Sequence, residues 1–239
     1  VSAPVDRRAL AARMPDVPRW VEARAFLLWE RCAVFGAPDP QAPAFALWDA
    51  PTSSLIVYGR PSPDVVREAA ACSAGEASAV CAPEDADWLA ALLPGWARSR
   101  AILHALRDAA RLPAPDDGDV RLLDPRAIAS LDVPDELRAE LRVGAERSPI
   151  AASFVDGAPM AFCYAGAITE TLWDVAIDTL EAHRRQGHAA RCAARMIRDF
   201  RARGLDAVWA SDAANPPSWM LARRLGFAAV DEVALFEQG

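Results

Sequence analysis

The segment from Leu172 to Ala210 constrains this chain most. It reads as a strand (Leu172–Thr179), a short loop carrying arginines and one glycine, an amphipathic helix (Gly187–Arg203) stopped by Gly204, and another strand (Ala207–Ala210). Before it come a strand at Val120–Leu123, a helix at Pro134–Arg147, and a hairpin of Ile150–Val155 with Met160–Ile168 across Asp156-Gly157. After it come a helix at Pro217–Leu225, stopped by Gly226, and a last strand at Phe227–Phe236. This order predicts an α/β fold, a mixed sheet layered with helices.

The first half echoes part of that order. Phe45–Trp48 and Leu55–Tyr58 read as strands, Pro63–Cys72 as a helix opened by Ser62 and Pro63, Ala77–Cys81 as a strand and Pro83–Leu93 as a helix. Arg100–Leu106 suits either a strand or a helix. Apolar residues at three-to-four spacing predict a helix over Pro18–Phe35, and the polar residues 1–16 read as loosely held. The run Pro113-Ala114-Pro115-Asp116-Asp117-Gly118 is the best boundary. It divides a smaller N-terminal α/β domain, 1–113, from a C-terminal domain, 119–239. A degenerate duplicate of the second half would account for the echo.

Composition narrows the function classes. At 53% hydrophobic and 25% charged residues, 239 residues bury a sizeable core without staples. Charges break every apolar run, so no membrane helix is expected, and no basic start followed by an apolar stretch suggests export. Five cysteines without CxxC spacing and three histidines argue against a disulfide framework and a metal site, and suit a reducing cytoplasm. All 26 basic residues are arginine, and the Ala/Arg/Pro bias reads as a GC-rich bacterial gene. A net charge of −7 disfavours nucleic acid and anionic membranes as partners. Yet residues 179–205 hold seven arginines against Glu181 and Asp199. A basic island in an acidic half suggests a small anionic ligand.

The island lies where such a ligand would bind. Amides at the start of a helix lack intrahelical partners and, with the macrodipole, attract anions. Gly187 leaves the backbone approachable, and Ala189 and Ala190 keep the next turn clear. An ordinary glycine turn before an arginine-rich surface helix would give the same spacing, and a solvated helix face is the plainer reading of Arg191, Arg195 and Arg198. Cys163, Cys192, Trp173 and Trp209 read as core. Trp219, near a helix start, suits a pocket wall.

Two motifs in order resemble the GNAT superfamily of acyl-CoA-dependent N-acyltransferases. Arg184-Arg185-Gln186-Gly187-His188-Ala189 matches the [Q/R]-x-x-G-x-[G/A] pyrophosphate loop. Asn215, 28 residues beyond Gly187, and Leu225-Gly226-Phe227 match the opening and closing of the penultimate helix. The Asp174–Thr179 stretch and Trp209…Asn215-x-x-Ser218 look closest to the zwittermicin-resistance-like branch. The resemblance covers about residues 119–239 and implies an N-acetyltransferase with acetyl-CoA as co-substrate and a small-molecule amine as acceptor. It implies that the amides of Arg185, Gln186, Gly187, His188, Ala189 and Ala190 hold the pyrophosphate. Arg184, Arg185 or Arg191 would then reach the nucleotide phosphate. Ile177 and Thr179 would pair with the pantetheine amides through main-chain groups, and Asn215 and Ser218 would line the pantetheine or thioester.

Attack on the thioester needs a neutral amine, whereas a free alkyl amine titrates near ~10.4, so a carboxylate must take a proton. Asp174 and Asp178 flank Ala176 on one face of a regular strand, and a bulge there would swap their orientations. His183 and Glu181 are loop alternatives. Many members carry a tyrosine, the general acid for the thiolate, where this chain has Ala222. Ser218 or water then protonates the thiolate, or it leaves unprotonated. Three readings follow: an acetyltransferase, a non-catalytic acyl-CoA sensor, and a nucleotide-binding α/β domain of another family. The last is weakened by the missing further glycines of a dinucleotide fingerprint. A homodimer is compatible with the sequence.

Overall fold

The computed structural model describes residues 5–29, 32–36, 43–114 and 120–238. Contacts group the chain into two compact units: residues 1–103 with 211–216 and 230–239, and residues 104–210 with 217–229. The boundary expected at Pro113–Gly118 falls largely on residues 115–119, outside the described residues.

The first unit opens with α1 (Arg7–Ala11), whose first turn is capped by Asp6 accepting from the Ala9 amide at 3.0 Å. Leu10, Ala11 and Met14 are buried, so residues 7–14 are anchored rather than loose. Helix α2 (Val21–Leu28) follows a 3-10 turn at Pro18–Trp20. The helix expected to run on to Phe35 stops at Leu28, and β1 (Ala33–Phe35) pairs instead with β2 (Phe45–Asp49), Phe35 facing Ala46. Pairing across a sheet outweighs a helical spacing that Ala33-Val34-Phe35 fits equally well as a strand.

A hairpin joins β2 to β3 (Ser54–Tyr58), α3 (Pro63–Ala70) crosses to a parallel β4 (Ala77–Cys81), and α4 (Ala86–Leu92) leads to β5 (Ala97–Leu106). Arg100–Leu106 is therefore strand. All five β2 residues are buried. Phe45 and Leu47 pack with α1 and α2, and Ala46 and Trp48 with α3 and α4, the period-two alternation of a strand covered on both faces.

In the second unit β6 (Val120–Leu122), α5 (Asp135–Ala145), β7 (Ala151–Val155), β8 (Ala158–Ile168) and β9 (Leu172–Thr179) form an antiparallel run from β6 to β9. Helix α6 (His188–Arg201) then crosses to β10 (Asp206–Asp212), parallel to β9, as a parallel pair needs a crossover connection. Helix α7 (Pro216–Arg224) and β11 (Phe227–Gln238) complete the chain. Trp173, Val175, Cys163 and Ala165 meet Cys192, Met196 and Phe200 of α6, with Trp173 stacked on Phe200. The opposite face packs Phe162 against Leu141 of α5 and Ile128.

Pairing senses agree between the two units: β2–β3 and β8–β9 are antiparallel, β3–β4 and β9–β10 parallel across a helix. No helix among the described residues is long and apolar enough to cross a membrane.

Gly226 closes α7 at φ +94°, and its carbonyl accepts the amides of Arg107 and Asp108 at 2.9 and 3.0 Å. A Cβ there would collide with the Asp108 carbonyl oxygen and lie 2.9 Å from its carbon. Positive φ and overpacking each cost about 1–3 kcal/mol, so Gly226→Ala should lose about 3 kcal/mol or more in urea unfolding. A loss under about 1 kcal/mol would contradict this geometry.

Candidate functional site

Beyond β9 the chain makes a 3-10 turn at Glu181–His183, Arg184 is extended, and Arg185 and Gly187 both take positive φ, +65° and +88°. For Arg185 that conformation costs about 1–3 kcal/mol, a strain typical of functional loops. Gly187 occupies the N-cap of the 14-residue α6, and no side chain caps the helix. Its first amides lie at the positive end of the helix dipole. A Cβ on Gly187 would meet only Arg191 Nη1, at 3.8 Å. Arg184, Arg185 and Gln186 are exposed, Ala189 and Ala190 half-buried, and Gln186 Nε2 donates to the Ala182 carbonyl at 3.3 Å. A glycine turn, a helix start and exposed arginines are the groups that suit a phosphate.

The arginines of α6 are not simply a solvated face. Arg191 Nη2 lies 2.8 Å from Nδ1 of His188, which is 5% exposed, and Ser153 Oγ of β7 lies 2.8 Å from the same nitrogen. Arg198 donates to the Pro113 carbonyl, and Arg195 pairs with Asp199 at 3.0 Å. Only Arg195 keeps the character expected of all three, because Arg191 and Arg198 find polar acceptors along the helix flank.

The parallel register of β9 with β10 ends at Asp174↔Val208, while β9 continues to Thr179. Ile177 and Thr179 pair with Cys163 and Ala161 of β8 on one side and lie past the last β10 partner on the other. Asp174, 8% exposed, stands where the strands part and accepts the Ala210 amide at 3.3 Å. The bulge at this level lies in β8, between Ala165 and Ala167, so Asp174, Ala176 and Asp178 keep one face of β9. Gly166 at the bulge makes room for the carboxylate: a Cβ there would lie 3.2 Å from Asp174 Oδ2.

Asp178 gains neighbours that sequence reasoning missed. Tyr164 of β8, opposite Ala176, donates its hydroxyl to Asp178 Oδ2 at 3.1 Å. Burial pushes the Asp178 carboxyl up, and the tyrosine's hydrogen bond pulls it partly back. Burial also raises Glu140 of α5, helped by the Asp178 charge. Gly144 lets α5 close on the ring, since a Cβ there would lie 2.7 Å from Tyr164 Cδ2. Tyr164 sits in the one hairpin register that brings it between the two aspartates, and a bulge invisible in the sequence sets that register.

Ser218 of α7 accepts a hydrogen bond from Trp209 Nε1 at 3.0 Å, and the Asn215 amide donates to the Asp212 carbonyl at 3.0 Å. Ala222 is fully buried. Burial raises the Cys163 thiol well above its ordinary range, and Cys163, Cys192, Trp173 and Trp209 are core residues. Trp219 is half-buried with the Arg223 guanidinium 5.9 Å from its ring centre, Glu181 is exposed, and the His183 ring lies 6.5 Å from that of His188. No group of three metal-ligating side chains is gathered among the described residues.

A carboxyl raised in the folded state contributes stability that is complete below its unfolded value, about 3.9, and is lost as pH rises through the folded one. Asp178→Asn should therefore gain stability over wild type between pH 4 and pH 7, read by urea unfolding at both. An equal difference at the two pH values would mean that Asp178 is not raised.

Residues 152–236 match the family model described as GNAT acetyltransferase. None of the curated proteins compared with the chain matches it. A GCN5-related N-acetyltransferase-like protein from Streptococcus suis superposes with TM-score 0.70 at 18% identity, over 98% of this chain and 98% of that one. A GCN5-related N-acetyltransferase from Kribbella flavida does so with TM-score 0.59 at 18% identity, over 99% and 96%. A tandem GNAT protein from the clavulanic acid biosynthesis pathway gives TM-score 0.59 at 16% identity, over 98% and 93%. Residues 152–236, which hold the loop, both aspartates and Ser218, thus carry the GNAT acetyltransferase match on a chain with the fold of GNAT-related structures.

Proposed function

We propose that the chain is an acetyl-CoA-dependent N-acetyltransferase acting on a small-molecule amine. The observation that carries this is the glycine turn at the start of α6, with Arg191 beside Gly187, at the end of a β9 strand that outlasts its pairing with β10. Those groups fit the co-substrate: amides of Arg185 to Ala190 for the pyrophosphate, Arg184 and Arg185 for further phosphate charge, main-chain groups of Ile177 and Thr179 for the pantetheine, and Asn215 and Ser218 for the thioester end. The Asp174–Thr179 stretch and Trp209…Ser218 favour the zwittermicin-resistance-like branch. Free cysteines and an acyl-CoA requirement favour a bacterial cytoplasm.

Acetyl-CoA supplies the acetyl group as a thioester. Asp174, at the parting of the strands, takes a proton from the acceptor's ammonium, and the freed lone pair attacks the carbonyl carbon. The new C–N bond forms as the C–S bond breaks, and the thiolate departs with its electron pair. The second proton, shed by the nitrogen as the amide forms, passes through Ser218 or water to the thiolate. A second reading, an acyl-CoA sensor without catalysis, draws on Ala222, a core methyl group where a general-acid tyrosine often stands.

Thiol release from acetyl-CoA across a panel of amines separates the two readings. Asp174→Asn should keep CoA binding and lose about 10²–10⁴ in rate. If both it and Asp178→Asn turn over normally, the base is neither.

CoA at about 100 times its dissociation constant should stabilise the fold by about 2.7 kcal/mol. Gly187→Val should abolish most of that thermal shift, because a branched side chain fills the phosphate's place. Unchanged affinity would move the phosphate elsewhere, and no shift with wild type at millimolar CoA would sink the acyl-CoA reading.

A further inference from the structure

The bulge that makes room for Asp174 is held from the other edge of its own strand. β7 and β8 pair as far as Ala151↔Cys163, and continuing that register would set Pro149 opposite Ala165. Pro149 has no amide proton, so the backbone alone cannot complete the ladder there. Ser148 fills the gap. Its hydroxyl accepts the Ala165 amide at 2.9 Å and donates to the Pro149 carbonyl at 2.9 Å, standing between two groups that a regular pair would join directly. Ser148 and Ala165 are both buried. Toward β9, Ala165 faces Val175 but Ala167 faces Asp174, which leaves Gly166 as the extra residue. A Cβ on Gly166 would lie 3.2 Å from Asp174 Oδ2, while Oδ1 of the same carboxylate accepts the Ala210 amide at 3.3 Å.

We propose that Ser148 is a positioning residue for Asp174: its hydroxyl, inserted between the Ala165 amide and the Pro149 carbonyl, holds the β8 bulge that sets Gly166 against the carboxylate. The inference rests on Asp174 being the base, as read above. A buried amide needs an acceptor. Without the serine hydroxyl the Ala165 amide recovers one only by closing on the Pro149 carbonyl, and Gly166 moves with it. The carboxylate then loses the backbone wall that faces Oδ2. A base must lie within hydrogen-bond reach of the proton it takes, so its misplacement costs rate and leaves the binding of acetyl-CoA, on the other side of the reacting carbon, unchanged.

The test is thiol release from acetyl-CoA with the best amine of the panel, for Ser148→Ala, Ser148→Thr and Gly166→Ala, each also combined with Asp174→Asn. Ser148→Ala should lower kcat about tenfold while the acetyl-CoA KM stays within about twofold of wild type. Ser148→Thr keeps the hydroxyl and should recover most of the rate. Combined with Asp174→Asn, Ser148→Ala should cost less than about twofold more, because a residue that acts through the base then has nothing left to position. A full rate in Ser148→Ala, or equal losses with and without Asp174, would overturn the proposal. Where Ser148→Ala fails to fold, Gly166→Ala carries the same test, since its methyl group crowds Oδ2 directly. Carbon NMR of the Asp174 carboxyl reads the geometry without any acceptor. Gly166→Ala should raise its titration by about half a unit or more, by taking water from the carboxylate, and Ser148→Ala should displace it too. An Asp174 titration unmoved in both variants would overturn the proposal. If Asp174→Asn alone turns over normally, the reading of Asp174 as base fails and this inference with it.

Discussion

Everything at the site depends on two parallel strands that stop pairing before they end. A parallel pair needs a crossover, here α6, whose apolar face is bound to the sheet by Cys192, Met196 and Phe200. Pairing with β10 ends at Asp174↔Val208, yet β9 runs on for five residues. Backbone groups on that edge need partners, and so do the first amides of α6. Both demands arise at the same end of β9, so one local geometry brings a strand edge and a helix start together. Asp174 offsets part of the lost ladder by accepting the Ala210 amide, a hydrogen bond to a carboxylate where a carbonyl would otherwise serve.

Charge is sorted around this edge. Arginines gather at the loop, while Asp174 and Asp178 share the face of β9 that also meets Tyr164, with Glu140 contributed by α5. Burial raises both Asp178 and Glu140. A carboxyl so placed is a better proton acceptor than a solvated one. Tyr164 keeps that tendency in check at Asp178 by donating to its charged form.

Much of this was legible in the sequence, for physical reasons that can be named. Gly187 and Gly226 stood out because each ends or begins a periodic segment, and both take positive φ. The two-residue spacing of Asp174, Ala176 and Asp178 in β9 and the amphipathic pattern of α6 placed which residues share a face. What failed was decided by contacts distant in the chain. Ala33–Phe35 became strand through its partner β2, and residues 7–14 became anchored by burying Leu10 and Met14. Arg191 was read from helix position alone, and it meets Nδ1 of His188, which Ser153 of β7 also approaches. Tyr164 and Glu140 join Asp178 only through the register of β8 and the closeness of α5 that Gly144 permits.

The first unit shows what the second would lack without its loop. Its order is the same, a hairpin, a parallel crossover and a further helix, yet β3 reaches α3 through only Gly59–Ser62. Pro63 at the head of α3 has no amide proton to offer, and Val65 and Val66 already donate to the Ser62 carbonyl. Arg60, the arginine of that short loop, is engaged by Asp85 at 2.5 Å and by the Glu84 carbonyl. Each feature that makes the start of α6 receptive to an anion is replaced here by one that satisfies the chain internally. The shared order of elements is therefore a solution to packing helices on a mixed sheet. The second unit differs in the eight residues from Leu180 to Gly187, which it places between strand and helix with two positive φ angles.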